Sequence, residues 1–263
     1  MNIVVDGVNI FVATGGCVFD PKKPTVVFVH GSGLDHRSWA LQARWFAFHG
    51  FSVLAPDLPG HSLSEGEPLK SIESMGKWLV KAIKHSGAEN VHLVGHSQGF
   101  LVALEAAILL EDKLKSLTAV ASASAIPVNE SLVDTAQKNT KEAADMLLRW
   151  GFGSRSHSGS SAVPGMQPIG IGRQIMSSNP LAEDLLACNE YKNGINCAKN
   201  IKAPSNVIVA TEDKNTPSKF GLELAELLGA ETTTVSGAGH MLPIEAPKST
   251  LDAIKSFILQ TSP

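Results

Sequence analysis

A chain of 263 residues, 43% hydrophobic and 18% charged, is long enough for one large α/β domain with an insertion or for two small domains, and rich enough in apolar residues for a packed core. Its formal net charge of −3 and pI near 6.3 argue against a nucleic-acid or anionic-membrane surface, both of which favour basic patches. No apolar run approaches the ~18 residues of a membrane span, and the opening Met1–Asp6 lacks the features of a signal peptide. Three cysteines, Cys17, Cys188 and Cys197, without CxxC spacing read as reduced thiols, with a Cys188–Cys197 disulfide as the alternative. A cytoplasmic protein is expected.

In chain order, Ile3–Val5, Asp6-Gly7 and Val8–Val12 predict a β-hairpin, because Asp-Gly suits a tight turn. Thr25–Val29 is a continuous apolar strand ending at His30-Gly31. A helix is predicted over about 37–48, a strand over Phe51–Ala55, and a turn-rich stretch follows from Asp57 to Ser62. An amphipathic helix over about 72–86 precedes the buried strand Val91–Val94. That strand runs into Gly95-His96-Ser97-Gln98-Gly99 and then an Ala/Leu-rich helix over about 100–111. Further strands are predicted at Leu117–Ala121, Asn206–Ala210 and Glu231–Val235, with helices at about 219–228 and 248–259. Short β-branched runs alternating with helical patterns indicate βαβ units and a mostly parallel sheet.

The interval 124–199 breaks this rhythm. It holds helical stretches near 133–150 and 170–189, separated by a Gly/Ser-rich run over 151–161 whose composition suggests a mobile lid segment. The expected organisation is a core domain of residues 1–123 and 200–263 with a cap or lid insertion at 124–199, placed over the strand ends where open α/β sheets bind ligands.

The segment 95–99 fits G-x-S-x-G with a strand before it and a helix after it, as a nucleophile elbow requires. Its sharp turn would expose the Ser97 hydroxyl at a helix N-terminus, where developing negative charge is favoured. A serine hydroxyl needs a base at neutral pH. His240, in a loop between the last strand and the last helix, is the candidate base. Asp213, after the strand Asn206–Ala210, is the candidate orienting acid, and the neighbouring Glu212 is the alternative. The tetrahedral intermediate also needs oxyanion donors. The backbone N–H groups of Gln98 and Ser32 are the candidates, with Gly31 and Gly33 as alternatives to Ser32. Gly31, His96, Trp150 and Met241 are read as pocket-lining, and Phe152 as a further acyl-pocket candidate. No metal site is expected, since His36, His61, His92 and His157 lack ligand spacing, and no cofactor, since P-loop and dinucleotide motifs are missing.

Together His30-Gly31, the run Asp57-Leu58-Pro59-Gly60-His61-Ser62, the Ser97 elbow, Asp213 and Gly239-His240 resemble the α/β-hydrolase superfamily in type and order. The resemblance covers about 1–123 and 200–263 and leaves the cap unassigned. It implies an α/β fold with a mostly parallel central sheet flanked by helices, and a Ser–Asp–His triad. Two residues depart from the usual pattern: Phe100 follows Gly99 where a second glycine is common, and Ser62 stands where a glycine is common after Pro-Gly-His. A serine nucleophile argues against the haloalkane dehalogenase and epoxide hydrolase members, which use an aspartate there. The expected activity is hydrolysis of small-to-medium carboxylic esters through an acyl-enzyme. Lactone opening, C–C bond hydrolysis and a hydroxynitrile-lyase-type reaction on the same triad are alternatives, and a non-catalytic ligand receptor is the rival from another class. The expected partner is a small ester-like molecule, without nucleic acid or membrane, and with a homodimer left open.

Overall fold

The computed structural model describes residues 1–261; the last two residues of the 200–263 segment lie outside them. The eight strands are β1 (Asn2–Val5), β2 (Val8–Ala13), β3 (Thr25–Val29), β4 (Ser52–Pro56), β5 (Val91–His96), β6 (Leu114–Val120), β7 (Ser205–Ala210) and β8 (Glu231–Val235). They form one sheet in the order β1-β2-β4-β3-β5-β6-β7-β8. The hairpin of β1 and β2 is antiparallel and closes through Asp6 and Gly7, both at positive φ, as a tight hairpin turn demands. β2 is antiparallel to β4, and β3 to β8 are mutually parallel.

Every residue of β3, β4, β5 and β7 is buried, as expected for strands covered on both faces. Side chains along each strand alternate between two cores. Val27, Val29, Leu93, Leu117 and Val207 join the core shared with helices α2 (Ile72–Ser86), α3 (Gln98–Leu110) and α10 (Ser218–Leu228). Val26, Phe28, Val94, Val120 and Ile208 join the opposite core, shared with α1 (Ala40–Phe48), α11 (Leu242–Glu245) and α12 (Pro247–Thr261). The chain leaves β3 toward β4 on one side and returns to β5 on the other. The crevice beyond the carboxyl ends of β3 and β5 is therefore the topological switch point where such sheets place ligands.

Between β6 and β7 lie α4 (Glu130–Lys138), α5 (Thr140–Gly151), α6 (Ser154–His157), α7 (Pro168–Met176), α8 (Leu181–Glu190) and α9 (Gly194–Asn200). Each long helical stretch expected here is two helices. Asn139 leaves helical geometry at φ −154°, ψ 89° and caps α5 with its side chain. Pro180, which has no N–H to donate, separates α7 from α8. The start of the Gly/Ser run is fastened rather than loose: Gly153 N and Ser156 Oγ donate to Glu245 Oε1 at 2.9 and 2.8 Å, and Ser154 N donates to Glu212 Oε2 at 2.6 Å. A third apolar cluster, including Leu132, Ala143, Leu148, Phe152, Ile175 and Leu181, also takes in Leu34 and Met241 from loops at the carboxyl edge of the sheet and Ile244 from the short helix Leu242–Glu245. All three cysteines are free thiols. Among the described residues no helix is long and apolar enough to cross a membrane.

Gly99 shows how tightly α3 sits on β3, because a Cβ there would overlap the carbonyl oxygens of Val29 and His30. Gly99→Ala is expected to destabilise the fold by roughly 1–3 kcal/mol, the usual cost of overpacking, read as a lower urea midpoint at unchanged slope. A midpoint equal to wild type would mean that the helix can lift off the strand freely.

Candidate active site

β5 ends at His96 and α3 starts at Gln98, so the whole reversal falls on Ser97 at φ 53°, ψ −124°. A non-glycine residue there carries strain of about 1–3 kcal/mol and persists only if its surroundings hold it. They do so on both sides of the residue. Ser97 N donates to Val120 O at 3.0 Å, and Ser122 Oγ donates to Ser97 O at 2.9 Å. The flanking glycines supply the space: a Cβ on Gly95 would overlap the backbone of Phe100, and one on Gly31 would lie 3.2 Å from Ser97 Cβ. The two departures from the usual pattern also find their places. Phe100 is buried in the core under α3. Ser62 takes the positive φ, 47°, that a glycine would favour, and its N–H is held by Asn179 Oδ1 at 2.9 Å.

Asp213 and His240 follow the ends of β7 and β8 and meet at 2.9 Å, Asp213 Oδ2 to His240 Nδ1. The other carboxylate oxygen accepts the N–H groups of Asn215 and Thr216 at 2.9 and 2.8 Å. Burial pushes the Asp213 carboxyl up, but the His240 imidazole and the hydrogen bonds from His240 and Thr216 outweigh it and hold it below its ordinary value. An ionised Asp213 accepts Nδ1–H, which leaves the Nε2 lone pair free to take a proton. Thr216 Oγ1 lies 2.9 Å from Asp213 Oδ2 and 3.0 Å from His240 Nδ1. Sequence reasoning missed this residue; its only signal was its position three residues after the aspartate, where loop hydroxyls often cap a carboxylate. Glu212, the alternative acid, instead accepts Ser154 N and Ser154 Oγ.

His96 sits with its ring centroid 4.9 Å from that of His240 and donates Nε2–H to His240 O at 2.8 Å. Burial, reinforced by the repulsion its protonated form would meet from a protonated His240, pushes its pKa down to about 3. It is therefore a neutral strut under the His240 loop, a role that the motif alone did not disclose. From the other side Gly151 O receives the N–H groups of His240 and Met241.

The loop after β3 is oriented by His30, whose Nδ1 donates to Gly31 O at 3.0 Å while its Nε2 accepts Leu58 N at 3.2 Å. Gly33 N already donates to Asp184 Oδ2 at 2.7 Å and Leu34 N to Gly31 O at 3.0 Å. The Gly33 N–H is thus engaged away from the oxyanion role offered to it as an alternative. Ser32 faces the cavity, with Oγ 3.7 Å from Cys188 Sγ. Gln98, fully buried, begins α3 beside Ser97.

Ser97, His240, Ser32, Gly31, His96, Trp150 and Met241 all line one cavity of about 210 Å³. Its far wall is apolar and comes from the segment between β6 and β7: Ile126, Val128, Leu132, Leu148, Met176 and Leu185. Lys214 is the one lining residue with a formal charge among Lys, Arg, Asp and Glu. Phe152 is not in this wall; it is buried in the apolar cluster behind it, because its ring packs toward Gly172. Asp35, His36 and Asp57 do bring ligand-type atoms within 4.8 Å of one another. Those atoms are spent internally: Asp57 Oδ1 accepts His36 N and Nδ1, Asp57 Oδ2 accepts Leu63 N, and Asp35 pairs with Arg37.

A serine at a strained strand–helix turn, a histidine–aspartate pair from the ends of two later strands and a mostly parallel eight-stranded sheet define the α/β-hydrolase class. The chain belongs to the alpha/beta hydrolase family, whose model matches residues 26–253, and at family level this makes it a hydrolase-type enzyme. The (E)-2-((N-methylformamido)methylene)succinate hydrolase of Acinetobacter baylyi is 22% identical to it over 247 residues, covering 90% of this chain and 91% of the relative. Among solved structures, the enol-lactonase from Burkholderia xenovorans LB400 superposes with a TM-score of 0.87 at 21% identity, covering 98% of this chain and 100% of that one. A thermophilic esterase from Thermogutta terrifontis superposes with a TM-score of 0.83 at 21% identity, covering 99% and 98%.

The buried histidines set a pH response. Burial lowers His30, His92 (to about 4) and His96 (to about 3), with neighbouring positive groups acting in the same direction. Between pH 6.5 and about 4 the unfolded chain therefore binds protons that the folded one refuses, and stability must fall as pH falls. His61, whose pKa is raised, works in the opposite sense near and above pH 6.5, where the unfolded imidazole is still taking up its proton, and adds nothing further once both states are protonated. Urea midpoints measured from pH 6 to 4.5 should decline, and His92→Gln should flatten the decline; a midpoint independent of pH would contradict the neutral assignments.

Proposed function

We propose that this protein is a serine hydrolase of small-to-medium carboxylic esters, working through an acyl-enzyme with Ser97 as nucleophile, His240 as base and Asp213 as orienting acid. The observation that carries the reading is the 2.9 Å Asp213–His240 contact opening on the same cavity as a serine held at φ 53°. Ser97 Oγ attacks the ester carbonyl carbon as its proton passes to His240 Nε2. The carbonyl oxygen becomes an oxyanion beside the backbone N–H groups of Ser32 and Gln98, at the N-terminus of α3. Collapse breaks the C–O bond, and His240 returns the proton to the leaving alcohol. Water then attacks the acyl-enzyme with His240 again as base, releasing the acid and restoring Ser97. The reaction calls on no cofactor.

Residues 124–199 act in this reading as the cap, their apolar wall receiving the acyl chain while Gly31, His96, Trp150 and Met241 complete the pocket. The substrate is a small ester-like molecule, taken up by a protein of the cytoplasm. The likeness to an enol-lactonase favours one second reading, opening of a cyclic ester by the same attack. In that case the leaving alcohol stays tethered to the acyl group.

The test is fluorophosphonate labelling with turnover of p-nitrophenyl esters of graded acyl length and of simple lactones. Stoichiometric labelling at Ser97 and a rate maximum at short-to-medium acyl chains are expected. Ser97→Ala should abolish labelling and lower kcat by ~10⁴–10⁶-fold with the fold kept. Asp213→Asn should cost ~10⁴-fold, and Glu212→Gln little. Labelling without ester or lactone turnover would point to C–C hydrolysis or lyase chemistry, and tight binding of small esters without labelling to a receptor.

A further inference from the structure

One carboxylate outside the Ser97–His240–Asp213 set is wholly buried at the junction between the cap and the switch-point loops. Asp184, on α8, is 0% exposed, and its partner His61, in the loop after β4, is 1% exposed. Asp184 Oδ2 accepts His61 Nε2–H at 3.0 Å and the backbone N–H of Gly33 at 2.7 Å. His61 Nδ1 donates to Pro59 O at 3.1 Å. Both ring nitrogens of His61 thus donate, which only the imidazolium can do. Burial alone would neutralise both groups; each instead keeps its charge because the other stands beside it.

The same turn of α8 reaches the elbow. Gln98 Nε2 donates to the backbone carbonyl of Asp184 at 3.2 Å. Two residues before α8 begins, the α7–α8 connection grips the same loop through Asn179, whose Nδ2 lies 3.1 Å from Gly33 O and 3.1 Å from Leu34 O. One cap residue therefore touches the neighbour of Ser32 through its side chain and Gln98 itself through its backbone. Ser32 and Gln98 are the two residues whose N–H groups face the oxyanion in the reading above. A backbone amide cannot choose its own direction; it points where the residues on either side are fixed. A charge-assisted hydrogen bond to Gly33 N is short and strong enough to fix one side of Ser32, while His30 fixes Gly31 on the other.

We propose that Asp184 is a positioning residue: with His61 as its counter-ion, it seats the Gly31–Gly33 loop so that the Ser32 N–H meets the transition-state oxyanion, which makes oxyanion stabilisation depend on the cap being in place. The proposal rests on the serine-hydrolase reading. It also explains a buried ion pair that the triad does not use. Hydrophobic residues could fill the same volume at no loss of stability, but they could not hold an amide in register.

The experiment measures kcat and KM for p-nitrophenyl butyrate, and the affinity for butylboronic acid, in wild type, Asp184→Ala and Asp184→Asn. The boronate bonds to a serine oxygen and places an oxygen where the oxyanion forms, so its affinity reports the donors without needing turnover. In Asp184→Ala, kcat and boronate affinity should fall together by about 10–100-fold, the scale of a weakened oxyanion donor, with KM changed less than threefold. The Gln98 tether to the residue 184 backbone survives this change, so the loss isolates the Gly33 side. Asp184→Asn keeps an oxygen for the Gly33 N–H and should recover part of both quantities. It remains the decisive variant if the alanine protein does not fold, with an expected loss of about 3–10-fold in both. A folded variant with wild-type kcat and boronate affinity overturns the proposal, as does a rise in KM with both of these unchanged. Wild-type protein that neither reacts with a fluorophosphonate nor binds the boronate overturns the parent reading, and this one with it.

Discussion

Ser97 can present its hydroxyl to the cavity only while its backbone stays at positive φ, and most of the surrounding architecture bears on that constraint. The strain needs a rigid frame, and the parallel pairing of β5 with β3 and β6 provides it. The bonds from Val120 and Ser122 lock the turn itself. Gly95 and Gly99 let neighbouring backbones approach closer than a side chain would allow, and Gly31 leaves room beside Ser97 that a Cβ would crowd. For the proposed reaction a frame of this kind is preorganised: its dipoles would face the reacting atoms before substrate arrives, leaving little reorganisation for the moment of reaction.

The second feature of the molecule is how its acidic residues join the segment between β6 and β7 to the sheet domain. Glu245, from the start of the C-terminal helical region, holds Gly153 and Ser156 with one oxygen and Gly239 with the other. Glu212 holds Ser154. Asp184 reaches the opposite way, from the insertion to Gly33 and His61. Glu245 and Asp184 end on backbone N–H groups next to His240 and Ser32, those of Gly239 and Gly33. Charge-assisted bonds to backbone are directional, whereas the apolar cluster that also spans the junction is not. The cluster supplies adhesion, and the carboxylates supply register.

Much of this was readable from residue order. Alternating β-branched runs gave the parallel sheet because buried strands must be apolar on both faces. The G-x-S-x-G string, set between an apolar strand and an Ala-rich helix, marked the elbow because only that context tolerates the turn. Their places after the last two parallel strands single out Asp213 and His240, and the structure sets them 2.9 Å apart. The insertion was harder. Helical periodicity continues through the short breaks at Asn139 and Pro180 and so predicts two helices where there are four, and composition predicts a loose Gly/Ser run because it does not report a distant Glu245.

The sequence by itself determined the fold class, the position of Ser97 at a strand–helix turn and the order in which its partners follow. These are consequences of local rules: hydrophobic period, glycine placement and the lengths of strands. Tertiary structure decided which of Glu212 and Asp213 meets His240, that Thr216 and His96 brace that pair, that Phe152 turns away from the cavity, and that Asp184 reaches the loop after β3. In each case the deciding quantity is a direction in space between residues far apart in the chain, such as Gly33 and Asp184. Such directions are set only when the sheet, the insertion and the loops have packed against one another.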